Sequence, residues 1–75
     1  MTGREATSTR IRAILDALER DDNATALQLL GSAEWEAFDA SNPDAGEYGY
    51  ARWAVATGQT ATAVSTLRRL LERRR

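Results

Sequence analysis

The feature that most constrains the fold of this chain is an internal repeat with an offset of 37 residues, from position 23 to position 60. Residues 23–30 read NATALQLL and align with residues 60–67, which read TATAVSTL. The matched pairs upstream are Ala17 with Ala54, Leu18 with Val55, and Asp21 with Gly58. Because the alignment keeps small and large apolar residues in the same order, the sequence predicts two copies of one helical hairpin.

In the first hairpin, apolar residues recur at the i, i+3, i+4, i+7 spacing of one helix face. These residues are Ile11, Ile14, Leu15 and Leu18. Residues 7–9 offer N-caps for this helix, and residues 21–23 end it because Asp and Asn favour turns and caps over helix interiors. A second helix begins near residue 24 with Leu27 and Leu30 inward. It either ends at Gly31 or continues as one longer helix to residue 40.

The second hairpin begins after Pro43, which lacks a backbone donor and disfavours helix in the residue before it. Asp44 and Glu47 have the spacing of a capping box, and Gly58 is placed to end the helix that follows. The inward stripe of this third helix is Tyr48, Ala51, Ala54 and Val55. The last helix begins near Thr60, with an inward face of Ala63, Val64, Leu67, Leu70 and Leu71.

We therefore predict an all-α fold of four or five short helices that form two related helical hairpins. The chain has 75 residues, enough for one core only. Residues 1–8 are expected to be a flexible N-terminus and residues 9–75 a single domain, with hairpins at about 9–40 and 44–74. Because cysteine is absent, no disulfide supports the small core, so self-association is expected to add stability.

Charge is unevenly distributed, although the net charge is only −1. Residues 21–51 contain seven acidic residues and no basic one, whereas residues 52–75 contain six Arg and one Glu. This separation is typical of an electrostatic interaction surface, or of oppositely charged helices that face each other within one domain. The second interpretation is preferred because the chain is short and compact.

The second hairpin, from Tyr48 to Leu71, resembles the tetratricopeptide family of helix-turn-helix repeats. Small residues occupy the close-packing positions, and large apolar residues follow in the second helix. The matching residues are Ala51, Gly58, Ala63, Leu67 and Leu70. The resemblance implies a non-catalytic scaffold for protein–protein interaction.

All five aromatic residues fall between Trp35 and Trp53, in the acidic part of the chain. They have two interpretations: a partner-binding surface, or core residues in a chain with few large aliphatic side chains. We expect most of them to be core residues, with Tyr50 and Trp53 as the pair expected to be exposed. The candidate partner-binding residues are Trp35, Phe38, Tyr50 and Trp53.

Catalysis is not expected, because the chain contains no His, Cys or Lys. The carboxylates have no motif spacing, so we predict no catalytic residue, no metal site and no cofactor. The absence of cysteine suits a reducing compartment, and no apolar run is long enough to cross a bilayer; we therefore expect a cytoplasmic protein without membrane contact.

The sequence favours an interaction or assembly module whose partner is a second copy of the chain, as in a homodimer, or another protein. The alternative is a protein that binds nucleic acid or another polyanion through its arginine-rich C-terminal helix. The candidate residues for that alternative are Arg68, Arg69, Arg73, Arg74 and Arg75.

Overall fold

The computed structural model describes residues 3–73, and the side chains of residues 6–73. Its four helices are α1 (Gly3–Glu19), α2 (Asn23–Asp39), α3 (Asp44–Ala56) and α4 (Thr60–Arg73). The described part of the chain contains no strand, so the predicted all-α fold is confirmed.

The first three helices all end in the same way, on a residue with a left-handed backbone. The residues are Asp21 (φ 61°), Ser41 (φ 55°) and Gly58 (φ 81°). In each case the next amide donates to a carbonyl five residues back. The pairs are Asp22 to Ala17 (2.8 Å), Asn42 to Ala37 (2.8 Å) and Gln59 to Ala54 (2.7 Å). These Schellman motifs satisfy carbonyls that the helix ends leave unpaired, and they turn the chain back within a few residues.

The core between the helices is rich in alanine. Among residues 6–73 it contains fifteen buried apolar residues, of which the larger ones are Ile11, Ile14, Leu18, Leu30, Tyr48, Val55, Leu67 and Leu70. The other seven are Ala17, Ala26, Ala33, Ala37, Ala51, Ala54 and Ala63. Small side chains at these positions let neighbouring helices approach closely.

The four helices form a ring. Consecutive helices pack against each other, and α1 also contacts α4, whereas the diagonal pairs make no close contact within residues 3–73. Short connections make consecutive helices antiparallel. In the repeat, α1 corresponds to α3 and α2 to α4. The seam between α2 and α3 therefore corresponds to the seam between α4 and α1, although α2 and α3 pack together much more extensively than α1 and α4 do.

Burial follows the repeat closely. Two residues that are 37 positions apart in the sequence have nearly the same exposure. The buried pairs are Ile11 with Tyr48, Ile14 with Ala51, Ala17 with Ala54, Leu18 with Val55, Ala26 with Ala63, Leu30 with Leu67, and Ala33 with Leu70. Asp21 and Gly58 are also paired by the offset and share the left-handed turn position. The two hairpins therefore repeat the same pattern of burial and the same turn position.

The structure corrects two predicted helix starts. Helix α1 begins at Gly3, so residues 3–8 are helical instead of forming a flexible arm; residues 1 and 2 lie outside the described part. The reason is that Thr7 lies one turn before buried Ile11 and is itself half-buried. The proposed capping box is also wrong: Asp44 is the first residue of α3, and its amide donates to the side chain of Asn42 at 2.9 Å.

The structure also decides between the two alternatives for the second helix. Helix α2 continues through Gly31 without a break. A glycine inside a helix costs roughly 0.5–1 kcal/mol relative to alanine. Here the buried residues Leu30 and Ala33 hold the helix against the core on both sides of it.

Candidate interaction surface

Four of the five aromatic side chains are exposed. Trp35 is 69% exposed, Phe38 68%, Tyr50 49% and Trp53 51%, whereas Tyr48 is only 3% exposed. The expectation that most aromatic residues are core is therefore wrong, and only Tyr48 behaves in that way. Burial raises the pKa of the Tyr48 hydroxyl above its usual value of 10.0.

The exposed aromatic residues form two ring pairs, one on α2 and one on α3. Trp35 and Phe38 meet edge to face, with ring centroids 6.2 Å apart and an interplanar angle of 80°. Tyr50 and Trp53 are stacked, with centroids 5.8 Å apart and an angle of 25°. The two ring pairs lie on adjacent, packed helices, and we call these four residues the aromatic face.

Helix periodicity explains why Trp35 and Phe38 point outward. The inward positions of α2 are Ala26, Leu30, Ala33 and Ala37, at spacings of three and four residues. Trp35 and Phe38 fall between these positions. Small alanines therefore occupy the core side of this helix, while its largest apolar residues face solvent.

An ion pair lies at the seam between α2 and α3, between the two ring pairs. The guanidinium Nε of Arg52 donates to Oε1 of Glu34 at 2.9 Å. The Glu34 carboxylate also lies against Gly49, where a Cβ atom would come within 2.6 Å of Oε2. A cleft of about 190 Å³ opens here, lined by Glu34, Trp35, Phe38 and Arg52.

Further ion pairs connect the acidic middle of the chain to its arginine-rich flanks. Arg10 of α1 pairs with Glu36 of α2, and Arg73 of α4 lies 3.8 Å from Glu47 of α3. The two charge blocks thus face each other within one domain, as the preferred interpretation has it. Helices α2 and α3 are consequently much less acidic at their surface than in sequence.

The repeat shows which residues occupy the equivalent positions of the other hairpin. The counterparts of Trp35, Tyr50 and Trp53 are Glu72, Ala13 and Asp16, all exposed on α4 and α1. We call these three residues the counterpart face. The counterpart of Phe38 is Arg75, which lies outside the described residues. Aligning the aromatic residues at the 37-residue offset would have indicated from sequence that these positions face outward.

The structure divides the candidate polyanion-binding residues. Arg68 and Arg69 are exposed and form no ion pair within the described side chains, and the same is true of Arg12 on α1. Arg73 is exposed but pairs with Glu47. Arg74 and Arg75 lie outside the described part.

Among the described residues, no three acidic side chains are grouped so that they could hold a metal ion. None of the helices α1 to α4 has both the length and the apolar character of a membrane-spanning segment. No protein-family model, curated protein or solved structure matches the chain.

Proposed function

We propose that this protein is a non-catalytic module for protein–protein interaction or assembly, and that the aromatic face is its contact surface. The sequence supports a non-catalytic role because it lacks His, Cys and Lys. The tetratricopeptide-like positions of the second hairpin support an interaction scaffold. A cytoplasmic location belongs to the same proposal, since a chain without cysteine suits a reducing compartment.

The observation that carries this proposal is the difference between the aromatic face and its counterpart face. Both sets of positions are exposed to solvent. At the counterpart positions it holds Asp16, Glu72 and Ala13, as expected of helix surfaces that only contact water. The fold therefore does not require Trp or Tyr at these positions.

The exposed aromatic area is also large for a chain of this size. Fully burying a Trp, Tyr or Phe removes about 150–250 Å² from water, so the exposed fractions of the four side chains leave about 500 Å² of contact area. This is within the range of the largest apolar patches on soluble monomers, which are often functional. Trp and Tyr are also the residues that most often dominate binding energy at protein interfaces.

Photo-crosslinking from the surface itself tests the proposal. A benzoylphenylalanine residue introduced at Trp35 or Trp53 is expected to form protein adducts on irradiation in the source cells. The same residue introduced at Glu72, the counterpart of Trp35, serves as the matched control and should form few adducts. Mass spectrometry identifies the captured chain as a second copy or as another protein.

Circular dichroism must show that the substituted chains keep the helix content of the parent protein. Because positions 35, 53 and 72 are all exposed, the fold should tolerate the larger side chain at each of them. Adducts that are absent at both aromatic positions, or equally abundant at position 72, would show that the aromatic face is not a contact surface.

A second candidate function is polyanion binding, favoured by the exposed arginines without ion pairs. Arg12 lies on α1, Arg68 and Arg69 lie on α4, and these two helices are in contact. Guanidinium groups on neighbouring helices can contact phosphates together. This candidate uses the opposite side of the ring from the aromatic face.

A further inference from the structure

We propose that the aromatic face binds the aromatic face of a second copy of this chain, about a two-fold axis that runs along the seam between α2 and α3. This inference rests on the proposed function and specifies its partner. The reasons for a second copy are the register of aromatic residues and glycines, the charge balance and the contact area.

The register between α2 and α3 places aromatic residues opposite glycines. Glu34 of α2 meets both Gly49 and Arg52 of α3, which fixes the relative height of the two antiparallel helices. Because the helices are antiparallel, a step back along α2 corresponds to a step forward along α3. Three residues before Glu34, Gly31 is therefore at the same height as Trp53. Gly31 accordingly lines one groove together with Arg52 and Ala56, the neighbours of this level on α3.

The same reasoning applies in the other direction along the seam. Four residues beyond Glu34, Phe38 is level with Gly46 of α3. The surface thus carries a large ring on one helix and a glycine on the other at each of two levels. Between them, Trp35 is level with Tyr50.

A two-fold axis along the seam places α2 of one copy over α3 of its partner at the same height. Phe38 of each copy then lies over Gly46 of the other, and Trp53 lies over Gly31. An isologous interface requires a surface that complements itself in this way. An unrelated partner would not require aromatic residues and glycines to alternate across the seam.

Within one copy, neither steric contact nor backbone conformation requires glycine at positions 31 and 46. A Cβ atom at Gly31 or at Gly46 would meet nothing within 4 Å, and neither residue has a positive φ. Each lies within a helix, where glycine is the costlier residue. Close approach of another chain gives the absent side chains a physical reason.

Charge also permits two copies to meet on this face. The central carboxylate, Glu34, is already neutralised by Arg52, and Glu36 and Glu47 pair with Arg10 and Arg73 away from the seam. The three carboxylates nearest the seam therefore add no unbalanced charge when two identical faces meet. Asp39, exposed about one turn beyond Trp35, is the acid of α2 without an ion pair among the described side chains. Across the axis, each Arg52 can also reach the partner's Glu34.

The contact area suits a weak to moderate dimer. About 500 Å² from each copy gives about 1,000 Å² in total, at the lower limit of specific interfaces. The area of about 500 Å² that each copy contributes is roughly a tenth of its 4819 Å² surface, which is the usual share for a small protein.

Light scattering coupled to size-exclusion chromatography tests the dimer between about 1 and 300 µM, a range that suits an interface of this size. The mass is expected to rise with concentration from 8.3 kDa towards twice that value. Because Trp35 and Trp53 are the only two tryptophans, their fluorescence reports on this surface directly. Emission should shift to shorter wavelength as the dimer forms.

The decisive variant is Gly31→Arg, which places at this position the residue that its counterpart Arg68 already has. It should keep the helix content and raise the dimer dissociation constant at least about tenfold. The matched control is Ala13→Arg, on the counterpart face, which should leave dissociation unchanged. Trp53→Asp, which copies Asp16, is a second variant that should also weaken the dimer.

Two outcomes would overturn the inference. One is a constant mass of 8.3 kDa over the whole concentration range. The other is a dimer that both Gly31→Arg and Trp53→Asp leave intact. In either case, crosslinks from positions 35 and 53 to another protein would still support the proposed function, so the two failures are distinguishable.

Discussion

At the scale of single residues, the three helix ends show how one backbone conformation is met by different side chains. Gly58 adopts the left-handed conformation without a steric cost, since it has no Cβ. Asp21 is one of the few other residue types that tolerate this conformation. Ser41, with φ 55°, belongs to neither group, so it is the position where the turn is most strained.

We therefore expect Ser41→Gly to stabilise the protein by about 0.5–1 kcal/mol, since removal of the left-handed strain outweighs the added freedom of the unfolded chain. Gly58→Ala is the converse change and should cost about 1 kcal/mol or more. Urea unfolding followed by circular dichroism measures both. A loss of stability in Ser41→Gly would show that the Ser41 turn is not strained.

At the scale of helices, much of the fold could be predicted from sequence because the inward stripes are strongly periodic. The inward residues of α3 were all predicted, and the alignment of Asp21 with Gly58 located two equivalent turns. It was harder to predict which side chains of α2 face the core. Its core positions hold small alanines such as Ala33 and Ala37, so the large apolar residues Trp35 and Phe38 looked like the better core candidates.

The candidate surface, too, could be predicted from sequence only in part. Exposure of Tyr50 and Trp53 followed from the inward stripe of α3, because that stripe leaves them on another side of the helix. Pairing of Arg73 with Glu47 could not be predicted, since it depends on how α3 and α4 lie in three dimensions. The start of α1 at Gly3 was missed because caps at residues 7–9 fit the local pattern equally well.

Close packing of the repeated helices leads to a prediction at this scale. Ala26 and Ala63 are counterparts in the repeat, and both are fully buried. Replacing either with Leu should destabilise the protein by about 1–3 kcal/mol, because neither site has room for three more carbon atoms. Thermal and urea unfolding give the two values. Ala61→Leu, at an exposed position of α4, is the control and should change stability little.

If the two hairpins are equivalent in packing as well as in burial, Ala26→Leu and Ala63→Leu should have similar costs. Unfolding curves that match the parent protein for both variants would contradict the structural repeat. A large cost at one position only would show that the copies have diverged in how tightly their helices approach.

At the scale of the whole molecule, the ring has two sides with different chemistry. One side carries the aromatic face, with glycines at Gly31 and Gly49. Their counterparts on the other side are Arg68 and Arg12. Pairing of two copies through α2 and α3 would leave both arginine-bearing sides facing outward, so self-association and polyanion binding would not compete.

Four of the seven arginines with described side chains form ion pairs, with Asp16, Glu34, Glu36 and Glu47. Arg12, Arg68 and Arg69 are the exposed cations without ion pairs among the described side chains. If the protein binds nucleic acid, Arg68→Gln with Arg69→Gln should weaken binding. Loss of two phosphate contacts should also make the slope of log affinity against log salt shallower by about 2.

Fluorescence anisotropy with a labelled duplex, titrated from about 20 to 200 mM salt, measures both the affinity and its slope across the range in which phosphate contacts weaken. Arg20→Gln is the matched control, because Arg20 lies 3.4 Å from Asp16 and its charge is already partly balanced. The control should leave the slope unchanged. The aromatic face would be unaffected in all these variants, so tryptophan emission should stay constant. Absence of binding by the parent protein at the lowest salt concentration would eliminate the polyanion candidate, because electrostatic attraction to phosphate is strongest there.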